Sequence, residues 1–357
     1  MSDMSIRQVG PKSAKTSIAF AIKMKRPVFL WGPPGIGKSD IVQQIGADTD
    51  RDVIDVRLAL WEPTDIKGIP YFDSNAGTMT WAPPAELPTD PDSKAILFLD
   101  ELNSAPPAVQ AAAYQLILNR KVGQYELPDN VLIVAAGNRE ADKGVVYRMP
   151  APLANRFVHI ELAVNFDDWF SWAVENKIHN DVVGYLTFAK KDLYDFDPKS
   201  PSRSFATPRS WSFVSELLED DDDETTTTDL ISGSVGEGLA VKFMAHRKVA
   251  ASMPNPTDIL AGKVKEMGTK EISAMYSLTV SLCYELKEAS DSNSKKFNSM
   301  VNNFLRFAMD NFDTELVVMG IKLALTQYSL PIDPDEVECF DDFHDRYGKY
   351  ITAAQAV

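Results

Sequence analysis

Short apolar runs alternate with segments of helical spacing through the first half of the chain. Residues 28–31, 53–58, 96–99, 132–136 and 157–162 have the character of buried strands. Residues 39–45 and 108–118, lying between them, have apolar positions at helical intervals. Buried strands alternating with helices predict an α/β fold, with a parallel sheet covered on both faces, over residues 1–165. Two segments interrupt the alternation and read as β-hairpins. One is residues 71–81, with turn residues between flanking β-formers, and the other is the shorter 122–127. From Phe166 onward strand signals fade. Trp169, Phe170, Trp172 and Ala173 form one amphipathic cluster, and Leu239, Ala240, Phe243 and Met244 another. Residues 273–286 and 314–325 also look helical and partly buried. The expectation is a helical region over 166–270 and a further helical region over 271–357. An acidic, Thr-rich run at 219–229 breaks the helical pattern and reads as a solvated or mobile loop, with a docking tail for a basic partner as the alternative.

Composition narrows the partners. The 36 Lys+Arg and 51 Asp+Glu of the 357 residues give a formal net charge of −15. That balance argues against general affinity for nucleic acid or an anionic membrane, although it leaves room for a local basic groove. With only Cys283 and Cys339, the chain has neither a disulfide framework nor a zinc-ligand pattern. The apolar stretch at 18–22 is bracketed by lysines and is too short for a secretory core, and no run approaches the length needed to span a bilayer. A reducing, cytoplasmic setting is expected.

The strongest chemical signal is Gly32-Pro33-Pro34-Gly35-Ile36-Gly37-Lys38-Ser39, which fits the phosphate-loop pattern G-x-x-x-x-G-K-[ST] and lies between a predicted strand and a predicted helix. Glycines let the backbone wrap closely and aim its N–H groups at phosphate, while the helix N-terminus favours negative charge. With the adjoining Asp40, these residues are the candidate ATP-binding set, Lys38 contacting the β- and γ-phosphates and Ser39 a Mg²⁺ ion. The strand at 96–99 then delivers Asp100 and Glu101 at its C-terminal end, where open α/β sheets bind ligands. Asp100 is a candidate metal ligand, and Glu101 a candidate activator of water. Taken alone, the pair would equally cap a helix. Asn138 ends the strand at 132–136 and could hold the attacking water or sense the γ-phosphate. Arg156 immediately precedes the strand at 157–162 and is a candidate arginine finger. In Thr207-Pro208-Arg209, Thr207 suits an N-cap and Pro208 the first helical position, which puts Arg209 in the first turn. A cation there opposes the helix dipole unless an anion offsets it.

In order and detail these motifs resemble the MoxR-like, dynein-related branch of the AAA+ ATPases. The resemblance is carried by Gly32 to Ser39, by Leu60-Trp61-Glu62-Pro63-Thr64-Asp65-Ile66-Lys67-Gly68-Ile69-Pro70, by the acidic strand followed by Leu102-Asn103-Ser104-Ala105-Pro106, by Ala136-Gly137-Asn138, by Leu153-Ala154-Asn155-Arg156-Phe157 and by Thr207-Pro208-Arg209. It covers roughly residues 10–265. It implies a P-loop AAA+ core (1–165), an α-helical lid (166–270) and a C-terminal helical region (271–357). Lys38 and Ser39 would be Walker A, Asp100 and Glu101 Walker B, Asn138 sensor 1, Arg156 the arginine finger and Arg209 sensor 2. The hairpins would be the family's helix-2 and pre-sensor-1 insertions. Arg139 stands where many relatives have Pro, and Arg148 is a second candidate for the finger. The resemblance further implies Mg²⁺-dependent ATP hydrolysis in a homo-oligomeric, hexameric ring, with a chaperone-like action on a protein partner that often carries a von Willebrand factor A domain. Exposed aromatics such as Tyr71, Trp81 or Tyr125 would touch that client. The competing expectations are a DNA-associated motor, disfavoured by the charge, and a nucleotide-gated scaffold with little turnover, disfavoured by the complete hydrolytic set.

Overall fold

The computed structural model describes residues 7–142, 146–219, 223–268 and 271–354. It divides into two compact units, one running through Asn165 and taking in Asp197–Ser200, the other comprising Phe166–Phe196 and the chain from Pro201 onward.

The first unit is built on a six-stranded sheet. In chain order it contains β1 (Gln8–Val9), α1 (Pro11–Lys23), β2 (Val28–Trp31), α2 (Lys38–Asp48), β3 (Val53–Arg57), α3 (Pro63–Lys67), β4 (Ile69–Asp73), β5 (Thr78–Ala82), β6 (Ile96–Asp100), α4 (Pro107–Asn119), β7 (Lys121–Val122), β8 (Tyr125–Glu126), β9 (Leu132–Gly137), α5 (Ala151–Ala154) and β10 (Val158–Leu162). The strand order is β1-β10-β2-β9-β6-β3, and every pairing in this sheet is parallel. This parallel sheet and the helices of the second unit are the α/β core and the helical remainder expected from sequence. The continuous apolar runs explain the sheet. Ile96, Leu97 and Phe98 have no exposed surface and Leu99 only 2%, and burying each such side chain contributes about 1.5–3 kcal/mol. After β2 the chain leaves for the far edge at β3, returns through β6 and β9, and ends on β2's other side at β10. The crevice at the C-terminal ends of β2 and its neighbours is therefore a topological switch point, the place where such sheets bind ligands. Register keeps those ends level, with Trp31 opposite Gly137 and Leu99 opposite Ala135.

Both expected hairpins form. The first pairs β4 with β5, and Asp73 Oδ1 organises its turn by accepting from Asn75 N at 2.9 Å. The second pairs β7 with β8 through Gly123, whose φ of 58° suits glycine. Gln124 Oε1 in that turn accepts from the Thr80 hydroxyl and from Trp81 N, which joins the hairpins. The aromatics differ from the expectation in part. Tyr71 is exposed and Trp81 half-buried, but Tyr125 is buried, its hydroxyl donating to Pro88 O at 2.7 Å. Burial pushes the Tyr125 phenol up to about 12. The surface apolar residues of the first hairpin are instead Ile69, Tyr71, Phe72 and Met79.

The second unit is helical: α6 (Phe166–Glu175), α7 (Asn180–Phe188), α8 (Pro208–Leu217), α9 (Glu224–Val235), α10 (Glu237–Ala250), α11 (Pro256–Leu260), α12 (Ile272–Asp291), α13 (Phe297–Asn311), α14 (Thr314–Lys322) and α15 (Phe340–Ala354). Tyr185, Trp211 and Phe243 meet at its centre with ring centroids 5.5–5.6 Å apart. The loop expected across 219–229 is corrected over its second half. Residues 220–222 lie outside the described residues, but Asp223 caps α9 by accepting from Thr226 N at 3.1 Å. Thr227, Ile231 and Val235, four residues apart, are buried along one face of α9, so packing outweighs the low helix propensity of the threonines. Among the described residues no helix is long and apolar enough to cross a membrane.

Candidate nucleotide site

The phosphate loop occupies the gap between the end of β2 and the start of α2. Gly35 and Gly37 adopt φ of 75° and 86°, left-handed values at which an L side chain is strained, and Gly37 is the N-cap of α2. Gly32 is closely surrounded instead: a Cβ there would lie 2.6 Å from Ile36 Cδ1 and 3.3 Å from Leu162 O. Its N–H donates to Gly137 O at 3.2 Å and so ties the loop to the end of β9. The Lys38 ammonium donates to Gly32 O (2.7 Å), Pro33 O (2.9 Å) and Asn138 Oδ1 (3.0 Å). Ser39 Oγ donates to Asp100 Oδ2 at 3.2 Å, and Asp40 is exposed in the first turn of α2, where a carboxylate suits the helix dipole.

Glu101 carries the site's clearest backbone strain. At φ 56° and ψ 31° it is left-handed, which costs a residue with a Cβ about 1–2 kcal/mol. The turn is held from both sides. Glu101 N donates to Asp100 Oδ1 at 2.9 Å, and Glu101 O accepts from Ser104 N at 2.9 Å and Ala105 N at 3.2 Å. The carboxylate of Glu101 is thereby left exposed at the mouth of the crevice while Asp100 points at Ser39. Nearby on β3, burial and then the Asp100 carboxylate push the Asp55 carboxyl above its usual range.

Asn138 directly follows β9. Its side chain meets Lys38, and its carbonyl accepts from Asn103 Nδ2 at 2.7 Å. Asn103 is buried within the short turn that follows Glu101, and nothing in its sequence context assigned it an individual role. The only hint was an amide placed between the core residues Leu102 and Ala105. Gly137 makes this packing possible, because a Cβ there would overlap Asn103 Oδ1 and come within 2.8 Å of Phe29 Cζ. Gly137→Ala should therefore lower stability by about 2 kcal/mol, the usual penalty for overpacking a filled core. For a chain of 357 residues, the thermal midpoint by circular dichroism should fall by roughly 2–4 °C.

The arginines separate into held and unheld. Arg139 donates to Asp142 Oδ1 at 2.8 Å and to Glu161 Oε1 at 3.2 Å. Hydrogen bonding to Asp142, more than any other influence, raises its pKa further. It is a fixed structural cation. Arg148 and Arg156 are both exposed, and neither forms an ion pair among the described residues. Arg156 follows α5, whose last carbonyl, Ala154 O, lies 2.7 Å from His159 Nε2. Trp31 Nε1 donates to His159 Nδ1 at 2.9 Å, so Nε2 carries the proton and donates to Ala154 O. The base of Arg156 is thus pinned to the end of the phosphate-loop strand. Arg209 belongs to the second unit, exposed at the second position of α8. Thr207 caps that helix in a capping box with Ser210.

The residues present fit a nucleotide with a hard divalent cation. The loop offers a helix N-terminus, glycine-enabled amides and an ammonium, the donor set for polyphosphate. Ser39 Oγ and Asp100 Oδ2 lie close enough to bind one cation between them. Among the described residues no cluster of three or more His, Cys, Asp or Glu forms a metal cage.

Residues 27–157 match the family described as AAA domain (dynein-related subfamily). That span contains Gly32 to Asp40, Asp100, Glu101, Asn138, Arg148 and Arg156 but not Arg209, and for it the expectation of an AAA domain holds. The chain is 27% identical over 202 residues to Midasin of Giardia intestinalis, an alignment covering 53% of this chain. The match spans 4% of Midasin's length. Among solved structures, the RuvB Holliday junction branch migration motor of Thermotoga maritima aligns at 18% identity and TM-score 0.36, covering 68% of this chain and 74% of that one. NtrX from Brucella abortus in complex with ADP aligns at 15% identity and TM-score 0.39, covering 89% of this chain and 69% of that one.

Proposed function

With residues 27–157 an AAA domain of the dynein-related subfamily, we propose that this chain is a Mg²⁺-dependent ATPase of the MoxR-like type. It works as a ring oligomer, a hexamer in our reading, in the cytoplasm, and it remodels or activates a protein partner. The observation that carries the reading is the meeting of two pairs, Ser39–Asp100 and Lys38–Asn138, at the level ends of adjacent parallel strands.

In this reading Gly32, Pro33, Pro34, Gly35, Ile36 and Gly37 wrap the phosphates, with Asp40 flanking them. Lys38 exchanges its bonds to the loop carbonyls for bonds to the β- and γ-phosphate oxygens. Ser39 and Asp100 would hold Mg²⁺, which when bound would neutralise charge on the phosphate oxygens. Glu101 orients a water for in-line attack on the γ-phosphorus and accepts its proton. The bond from water oxygen to phosphorus forms as the β–γ bridging bond breaks, which leaves ADP and phosphate. Asn138, held between Lys38 and Asn103, fixes the side of the crevice on which the γ-phosphate lies. Arg156, or alternatively Arg148, acts on the nucleotide of a neighbouring subunit, and Arg209 reports nucleotide state to the helical lid. The exposed Ile69, Tyr71, Phe72 and Met79 of the first hairpin supply an apolar surface suited to a protein client, a von Willebrand factor A domain protein in the narrowest form of the proposal.

Turnover measured at rising protein concentration tests this. If sites are completed between subunits, ATP hydrolysis per chain rises severalfold from about 10 nM to about 1 µM protein, following the mass action of assembly. Duplex DNA at physiological salt leaves the rate within about twofold, because a chain of charge −15 gains little from phosphate backbones. Strong stimulation by DNA would favour the motor. Near-zero turnover in intact rings with client present would favour the scaffold.

A further inference from the structure

Asn103 is 2% exposed and serves three segments at once. Its Nδ2 donates to Asn138 O at 2.7 Å. Its backbone carbonyl accepts from Tyr147 N at 2.6 Å, in the segment that leads through Arg148 to α5. It also sits in the short helical turn that Glu101 opens, two residues along the chain. Its Oδ1 is buried with no hydrogen-bond partner, pressed against the Gly137 backbone.

An unpaired buried acceptor is destabilising, and native folds carry few of them. An apolar side chain of similar shape would not bring that acceptor. What the amide contributes in return is one donor aimed at the carbonyl of Asn138, the residue whose side chain contacts Lys38 at 3.0 Å. Asn138 is therefore fixed at two points, its carbonyl from below and its Oδ1 from the phosphate loop. Because Asn103 is carried by the turn that strains Glu101, any shift of that turn moves the donor, and with it Asn138.

We propose that Asn103 is a positioning residue for hydrolysis, linking the Glu101 turn to Asn138 so that the water-activating and phosphate-sensing groups keep one relative geometry. The inference rests on the roles proposed above for Glu101 and Asn138.

The test uses the full chain and three variants, Asn103→Leu, Asn103→Asp and Asn138→Ala. Both Asn103 variants are close to the original in size; Leu removes the donor outright, and Asp removes it at any pH where its carboxyl is ionised, so Asp is assayed across a pH series. Leu also removes the orphan acceptor, so its thermal midpoint should stay near that of the parent. If Leu disturbs the packing against Gly137, Asp carries the same test. The expected result is a fall in kcat of about tenfold or more with KM for ATP within about twofold, since small misplacements of catalytic groups act on the chemical step. In the double variant Asn103→Leu/Asn138→Ala, kcat should be no lower than in Asn138→Ala alone, because both changes remove one device. If Asn138→Ala is slow but Asn103→Leu and Asn103→Asp turn over at the parent rate, or if the two effects multiply, the link is overturned and the role of Asn138 stands. If Asn138→Ala turns over at the parent rate, the role of Asn138 fails, and this inference fails with it.

Discussion

Glu101→Gln should reduce ATP hydrolysis by about 100-fold or more while leaving ATP binding intact, the scale on which a positioned general base acts. The substitution is unusually clean at this position. Backbone bonds hold the Glu101 turn, through its own N–H to Asp100 Oδ1 and its carbonyl to Ser104 N and Ala105 N. Its side chain is exposed. Glutamine keeps the length and the strained left-handed geometry, and lacks only the ionised carboxylate that accepts a proton from water. Lys38, Ser39 and Asp100 are untouched, so nucleotide is still bound but is released as product far more slowly. The variant should then accumulate in the ATP-bound ring and retain its client through a pull-down in the presence of ATP. Single-turnover hydrolysis and equilibrium nucleotide binding, measured on the same preparation, separate the two effects. Hydrolysis within about threefold of the parent would remove Glu101 from the role of water activator, since general-base contributions are far larger than that.

The site's scaffold was legible in the sequence because its elements are encoded locally. An apolar run of four or five residues, a glycine loop and an acidic pair are each contiguous, and each sits at the end of a strand whose burial on both faces demands that composition. Elements whose meaning depends on distant partners were not legible. Arg139 stood out only as a departure from the family's Pro, and its partner Glu161 lies on β10, 22 residues away. Tyr125 read as a surface aromatic because hairpins are usually exposed, while its hydroxyl reaches Pro88, 37 residues back in the chain. In α9 the acidic, Thr-rich composition argued for a loop, and only the buried spacing of Thr227, Ile231 and Val235 overrides it. Asn103 and His159 were invisible for the same reason. Each is an ordinary polar residue until the strand order brings it against Asn138 or Trp31.

That local geometry also bears on how the arginines act, and so on whether a single chain is sufficient. With Arg139 consumed by Asp142 and Glu161, the cations left exposed in the first unit beyond the loop include Arg148 and Arg156. Arg156 has the firmer base, through Ala154, His159 and Trp31. Arg156→Ala should lower turnover by about 100-fold or more, the loss expected when a transition-state arginine is removed, with ATP binding unchanged. Lys38→Ala should abolish turnover by removing the phosphate-binding cation. If Arg156 serves the neighbouring subunit, the two inactive variants complement each other. In an equal mixture, a site is intact when an Arg156→Ala chain supplies the loop and a Lys38→Ala chain supplies the arginine. Random assembly into a head-to-tail ring makes that combination at about one interface in four. Mixing should therefore restore about a quarter of parental activity from two preparations that are each inactive. No recovery on mixing, with ring assembly confirmed by sedimentation, would place Arg156 in its own chain's site or outside catalysis. Parental activity in Arg156→Ala together with loss in Arg148→Ala would transfer the role to Arg148. The stoichiometry of recovery thus reports the origin of the arginine directly, because a group acting within its own chain has no route by which a second defective chain can replace it.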